Sequence, residues 1–243
     1  MEILGIDIGG TGIKGALVDT KTGNLTTKRH RIATPKPATP EKVANTIQKM
    51  IRHFNWTGEV GCGFPTPLQH GKCLTGGNLH EDWKGVQVDV LFAEKTGNEY
   101  SIVNDADAAG LAEITFGAGK GVKGTVIMIT LGTGIGSALF LDGKLVPNTE
   151  FGHVLHKNGS IFEKYAADSV RIEENLSRKQ WGKRLHKYFK HINLLLSPDL
   201  IIIGGGSSKK FSKFEAQINI DTEITPAKAE NDAGIIGAAL SAV

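Results

Sequence analysis

The chain opens on an apolar run, Ile3 to Ile8, then Gly9-Gly10-Thr11-Gly12, then a second apolar run from Ile13 to Val18. Short β-branched runs bounded by glycine predict strands, and the Lys21-Thr22-Gly23-Asn24 turn signal closes an antiparallel hairpin. The pattern returns at Thr125 to Leu131, followed by Gly132-Thr133-Gly134, another apolar run and the turn Asp142-Gly143-Lys144. Residues 10–17 read Gly-Thr-Gly-Ile-Lys-Gly-Ala-Leu and residues 132–139 read Gly-Thr-Gly-Ile-Gly-Ser-Ala-Leu, six of eight identical at an offset of 122. Recurrence of a whole strand–turn–strand context at half the chain length points to a duplicated domain.

The intervening segments alternate in the α/β manner. Thr39-Pro40 is an N-cap and first-turn pair, and Val43, Ile47, Met50, Ile51 and Phe54 follow at helical spacing. Val60–Gly63 and Tyr100–Val103 read as strands, and Asn104-Asp105-Ala106-Asp107 opens an alanine-rich helix through about Thr115. Trp181, Leu185, Tyr188, Phe189, Ile192, Leu195 and Leu196 form one helical stripe. A strand from Leu200 to Ile203 ends in Gly204-Gly205-Gly206, and a helix over Ala229–Ala242 closes the chain. The expectation is two α/β lobes around a central cleft, residues 1–115 and 116–243, with the C-terminal helix packing back on the first.

Composition adds one unusual feature. Glycine accounts for 31 of 243 residues, nearly twice the usual ~7%, with only 8 prolines and no collagen period. The net charge of +3 is small and 40% of residues are hydrophobic, which excludes a disordered chain. Cys62 and Cys73 are too few for a metal cluster and are expected to stay free in a reducing cytosol. Neither a secretory leader pattern at Met1-Glu2-Ile3 nor a run of 18 apolar residues is present, so a cytoplasmic protein without membrane contact is expected.

Glycine-rich turns between strands expose backbone N–H groups that cradle phosphate oxygens. A tight hairpin turn uses the same residues, but two copies and a third glycine run at a strand end favour phosphate. Neither copy has the P-loop spacing. Asp7 before the first glycines suits a hydrated magnesium ion, and Lys14 after them suits a phosphate. Asn104-Asp105 falls where strand gives way to helix, the place α/β proteins hold ligands, and a carboxylate there accepts a proton from an attacking hydroxyl. Helix capping is the plainer use of that pair. Glu150-Phe151-Gly152-His153 is a second polar cluster.

These residues resemble a family. Asp7-Ile8-Gly9-Gly10-Thr11-Gly12-Ile13-Lys14 looks like the first phosphate motif of the ROK sugar kinases, and Leu131-Gly132-Thr133-Gly134-Ile135-Gly136 resembles the second. Asn104-Asp105-Ala106-Asp107-Ala108-Ala109 and Glu150-Phe151-Gly152-His153 resemble the sugar-site motifs. The resemblance implies the duplicated actin-like, RNase H-like ATPase fold and a homodimer. The cysteine-rich zinc run of most ROK proteins is missing; Phe162-Glu163-Lys164-Tyr165-Ala166-Ala167 stands instead, so no zinc site is expected. That zinc-free pattern is similar to polyphosphate glucokinases, which implies phosphorylation of glucose by inorganic polyphosphate, with ATP as a second donor. On that resemblance Asp105 is the general base, and Asn104, Glu150, His153, Glu163 and Pro65 meet the sugar. Asp7, Gly9, Gly10, Thr11, Lys14, Gly132, Thr133, Gly134, Gly204, Gly205 and Gly206 then serve the donor, with Asp7 holding magnesium through water. Thr66 departs from the family's glycine after the Gly63-Phe64-Pro65 turn.

From Asn175 to Pro198 there is no acidic residue, while Lys183, Arg184 and Lys187 are among six cations there, and Lys209 and Lys210 lie beyond the third glycine run. A block of one sign is a local field that attracts a polyanion, although a solvated helix face has the same composition. No nucleic-acid motif accompanies it, so polyphosphate is the expected polyanion. The rival readings are a strictly ATP-dependent ROK hexokinase and a non-catalytic sugar sensor; a first phosphate motif at Asp7 and retention of Asp105 speak against the sensor.

Overall fold

The computed structural model describes residues 1–77, 79–229 and 232–243, which divide into two units. The first comprises Met1–Ala112 and Asp232–Val243, the second Glu113–Asn231.

The first unit contains β1 (Glu2–Ile8), β2 (Ile13–Asp19), β3 (Asn24–Leu25), β4 (His30–Ile32), α1 (Pro40–Phe54), β5 (Val60–Phe64), the small hairpin β6 (Leu68–Gln69) and β7 (Lys72–Cys73), α2 (Val88–Thr96) and β8 (Tyr100–Asn104). The division falls inside α3 (Asp105–Thr115). The second unit contains β9 (Thr125–Leu131), β10 (Ile135–Leu141), β11 (Lys144–Val146), α4 (Glu163–Ala166), α5 (Asp168–Glu173), α6 (Arg178–Leu196), β12 (Leu200–Gly204) and β13 (Glu223–Pro226). The last helix, α7 (Ala233–Leu240), belongs to the first unit.

Both units are built on the same sheet. Strand order is β3-β2-β1-β5-β8 in the first, with β4 added on β2, and β11-β10-β9-β12-β13 in the second. Each is an antiparallel hairpin whose first strand is continued outward by two further strands parallel to it. The register differs by one residue. Ile8 pairs with Ile13, leaving four residues in the first turn, whereas Leu131 pairs with Ile135, leaving three in the second. Asp7 therefore faces Lys14 across the first hairpin, while Thr130 faces Gly136 across the second.

The cores follow the apolar pattern. Leu4, Ile6 and Ile8 of β1 pack with Val43, Ile47 and Met50 of α1 and with Trp83 and Phe92. Ile127 and Ile129 of β9 pack with Trp181, Leu185, Tyr188 and Phe189 of α6. The expected α6 stripe holds at Trp181, Leu185, Tyr188, Phe189 and Ile192, and Leu196 packs partly buried against the same core, but Leu195 is 55% exposed. Thr39 does occupy the N-cap of α1, although its side chain makes no capping hydrogen bond. Asn104 ends β8 rather than opening the helix, and the terminal helix begins at Ala233 rather than Ala229; residues 230 and 231 lie outside the described residues. No helix among the described residues is long and apolar enough to cross a membrane.

Part of the glycine excess serves this packing. A Cβ on Gly61 of β5 would fall 1.7 Å from the Ala238 carbonyl oxygen of α7, and one on Gly5 of β1 would fall 2.1 Å from that of Ile235. The helix backbone rests directly on the sheet, and only hydrogen fits between. Glycine was expected to concentrate at phosphate turns; these two hold the C-terminal helix against the first sheet. Gly61→Ala is expected to lower unfolding free energy in urea by about 3 kcal/mol or more, whereas Gly206→Ala, whose added carbon meets nothing within 4 Å, should change it by about 0.5 kcal/mol or less.

Candidate active site

In the first unit, the carboxyl ends of three parallel strands bring the candidate residues into one row. Asp7 on β1 neighbours Gly63 on β5, and Phe64 on β5 neighbours Asn104 on β8. This is the edge at which parallel α/β sheets hold ligands. Asp105 is the first residue of α3 and is exposed. A Cβ on Gly63 would sit 3.8 Å from the Asp105 Cα, so the Gly63-Phe64-Pro65 turn adjoins it. Asn104 is buried, and its Oδ1 accepts the Ala106 N–H at 2.9 Å; the capping bond fixes the amide beside Asp105. Pro65 is half-buried. Thr66 faces inward, with its hydroxyl 3.5 Å from Cys73 Sγ on β7 and 3.4 Å from the Pro67 carbonyl oxygen. The departure from glycine therefore ties the turn to the small hairpin. Asp107 is buried in the first turn of α3.

Asp7 lies 3.2 Å from Lys14 Nζ. A Cβ on Gly234, in the first turn of α7, would come within 2.9 Å of the Asp7 Cγ, so the carboxylate sits against that helix. Within the first turn the Gly9 N–H donates to Gly12 O at 3.1 Å. Two residues missed by the sequence reading brace it from outside. Thr34 Oγ1 donates to Gly9 O, and Arg31 Nη2 donates to Thr11 O at 2.7 Å.

The second turn is built likewise. Gly132 N–H donates to Gly134 O at 3.0 Å, while Ser169 gives its backbone N–H to Gly132 O at 3.1 Å and its hydroxyl to Thr133 O at 2.6 Å. The third glycine run adjoins it, since Gly204 of β12 pairs with Thr130 of β9. Gly205 takes φ +74°, a left-handed conformation natural to glycine, where a Cβ would meet the Leu131 carbonyl oxygen at 2.8 Å, and Gly206 is open. Ser169, like Arg31, lies far from the glycine motif in sequence, and only the fold brings either to its turn.

The polar cluster of the second unit adjoins the same turn. Glu163, the first residue of α4, accepts the Ile135 N–H on Oε2 at 2.8 Å, and a Cβ on Gly134 would lie 2.3 Å from that oxygen. Glu150 lies 3.8 Å from His153 Nδ1. The Phe151 N–H donates to Ser137 Oγ at 2.9 Å, seating this segment on β10. Burial pushes the Glu150 carboxyl above its ordinary value of 4.5, the charge of Glu163 adds to the rise, and His153 opposes it. Buried Tyr188 of α6 feels both glutamates and is raised as well, chiefly by its burial.

The basic block is smaller than its sequence suggested. Arg184 binds Glu174 through Nη1 at 3.1 Å and Nη2 at 2.5 Å, and also gives Nη1 to the Tyr165 carbonyl oxygen at 3.0 Å. Arg178 binds Asp168 at 3.1 Å. The acid-free window is answered by acids just upstream, on and directly after α5. Lys187 donates to the Tyr165 hydroxyl at 3.2 Å; Lys183, Lys209 and Lys210 are exposed. Cys62 and Cys73 are buried free thiols, and among the described residues no group of three or more His, Cys, Asp or Glu is arranged to hold a metal ion.

Against known proteins, the ROK family model matches residues 3–167. The polyphosphate glucokinase of Mycobacterium tuberculosis is 44% identical over 240 residues, spanning 98% of this chain and 90% of that protein. That of Mycobacterium leprae is 42% identical over 98% of this chain and 73% of its own length. Among solved structures, the inorganic polyphosphate/ATP-glucomannokinase of Arthrobacter sp. strain KM superposes with a TM-score of 0.92 at 45% identity, covering 98% of this chain and 97% of that one. A ROK family glucokinase from Streptomyces griseus, in complex with glucose and AMPPNP, shares the fold at a TM-score of 0.86 and 22% identity over 100% of this chain and 99% of that one. The chain therefore belongs to the ROK family and has its duplicated actin-like α/β fold.

Proposed function

We propose that this protein is a glucokinase that transfers a phosphoryl group to the glucose C6 hydroxyl from inorganic polyphosphate, and also from ATP. The relatives named for polyphosphate-dependent glucose phosphorylation match nearly the whole chain. The observation that carries the chemistry is the exposed Asp105 carboxylate beside buried Asn104, at the strand edge shared with Asp7 and Gly63.

Asp105 orients the sugar hydroxyl and takes its proton as the oxygen bonds to phosphorus. The donor's bridging oxygen leaves with the electron pair of the broken P–O bond, giving glucose 6-phosphate and a donor shorter by one phosphate. Little covalent work falls to the protein, so positioning and electrostatics dominate. Asn104 donates from its amide to sugar hydroxyls, and Pro65 shapes the adjoining turn. In the second unit, Glu150, His153 and Glu163 supply hydroxyl partners. Gly9, Gly10, Thr11, Gly132, Thr133, Gly134 and the Gly204-Gly205-Gly206 run offer backbone to donor phosphates. Lys14 neutralises Asp7 and lends charge to the same turn. Lys183, Lys187, Lys209 and Lys210 extend attraction to a long polyanion, with Arg184 largely neutralised by Glu174.

Magnesium fits this donor set only as a mostly hydrated ion, because Asp7 is a lone carboxylate already 3.2 Å from Lys14. Such an ion keeps several waters and takes the rest of its ligands from phosphates. Held by Asp7 through water, it would neutralise charge on the donor.

Initial rates with glucose and magnesium are expected to be substantial with polyphosphate and measurable with ATP; turnover with ATP alone would restrict the donor. Asp105→Asn should lower kcat by about 10²- to 10⁴-fold with little change in thermal stability, and near-wild-type turnover would remove Asp105 as the base. The Glu150 carboxyl, followed by NMR, should titrate above 4.5, and Glu163→Gln should move that midpoint downward, because removing a like charge eases ionisation.

A further inference from the structure

The first turn carries a side chain that no motif includes. Arg31 lies on β4, which pairs with β2 so that Arg31 stands opposite Lys14, just as Lys14 stands opposite Asp7 on β1. Asp7, Lys14 and Arg31 thus form a row on one face of the sheet. Two cations side by side on neighbouring strands destabilise a sheet. Lys14 is offset by Asp7 at 3.2 Å, and Arg31 has no carboxylate within salt-bridge distance among the described residues. An exposed arginine kept next to a lysine at that cost has some other use.

Its geometry identifies the use. Arg31 Nη2 donates to the Thr11 carbonyl oxygen at 2.7 Å, and its guanidinium lies so close that a Cβ on Gly12 would fall 2.5 Å from Nε. In a trans peptide the carbonyl and the following N–H point in opposite directions. Holding Thr11 O therefore turns the Gly12 N–H to the far side of the turn, and holding Gly9 O through Thr34 does the same for Gly10. Neither N–H donates to any group among the described residues. The strand bearing Arg31 is itself pinned, because the His30 ring stacks on His53 of α1 with centroids 3.6 Å apart.

We propose that Arg31 is a positioning residue for the phosphoryl donor: it sets the Thr11–Gly12 peptide so that its N–H meets a donor phosphate, and its uncompensated charge sits directly behind that contact. The inference rests on the donor-binding reading above. The matching carbonyl of the second turn, Thr133 O, is held by the neutral hydroxyl of Ser169, so the charged brace is particular to the first turn.

Arg31→Ala should raise KM for polyphosphate and for ATP about tenfold or more, with the KM for glucose unchanged. Arg31→Lys, which keeps charge and reach, should recover most of that loss, and the defect should shrink as ionic strength rises. Thermal stability of Arg31→Ala should be unchanged or higher, since a like-charge neighbour is removed; a purely structural brace would instead lower it and raise the glucose KM along with the donor KM values. Calorimetric titration with inorganic tripolyphosphate separates the two readings. Wild type that binds while Arg31→Ala binds equally well would overturn the role of Arg31 and leave the donor site standing. Wild type that binds neither tripolyphosphate nor ATP would overturn the donor reading and this inference with it.

Discussion

The candidate chemistry depends on which way a few peptide planes face. A glycine-rich turn by itself is only a turn, free to present either carbonyls or amides to a ligand. In this chain the outcome is set by groups that capture the carbonyls: Thr34 and Arg31 at the first turn, Ser169 at the second. Once Gly9 O, Thr11 O, Gly132 O and Thr133 O are taken, the N–H groups of Gly10, Gly12, Thr133 and Gly134 face the opposite way. Both turns thereby become donor arrays suited to phosphate oxygens, ordered before a ligand arrives.

Glu163 extends the same constraint into the Glu150–His153 cluster. Its carboxylate accepts the Ile135 N–H immediately after the second turn and also raises the proton affinity of Glu150. Turn geometry and the charge of the cluster are therefore coupled through one side chain. The segment that carries it is held by aromatic contacts: His156 stacks on Tyr165 with centroids 4.3 Å apart, and Phe162 packs on Tyr188 at 5.3 Å. The stretch holds no cysteine, and ring contacts pack it against α6.

The sequence was most informative where a pattern was local. Two hairpins, their glycine turns and the stripe of α6 are periodic over a few residues, and each formed close to its expected bounds. Legibility failed where the deciding partner lay elsewhere in the chain. Arg31, Thr34 and Ser169 carry no motif, because a brace needs only a donor at the right height on a neighbouring element. Arg184 looked like part of a free cationic face, because the acid that binds it, Glu174, lies just outside the acid-free window. Gly5 and Gly61 stood unremarked inside predicted strands, yet they serve a helix that returns from the far end of the chain. In each case the missing information was a contact between separate elements, which composition and spacing do not encode.

The two copies are not equivalent, and the difference traces to one residue. Gly9 lengthens the first turn relative to the second, which sets the pairing of β1 against β2 so that Asp7 meets Lys14. The corresponding pair in the second hairpin is Thr130 with Gly136, neutral and small. A one-residue change in register alters which side chains meet across a hairpin. Adding β4 to the first sheet then places Arg31 in the same row, so the first turn acquires an acid and two cations while the second has none in that row. Duplication supplied two glycine-rich turns with their carbonyls captured from outside. If the first turn holds the donor as proposed, its additional unpaired glycine and the added β4 strand are what place charge beside one turn and leave the other neutral in that row.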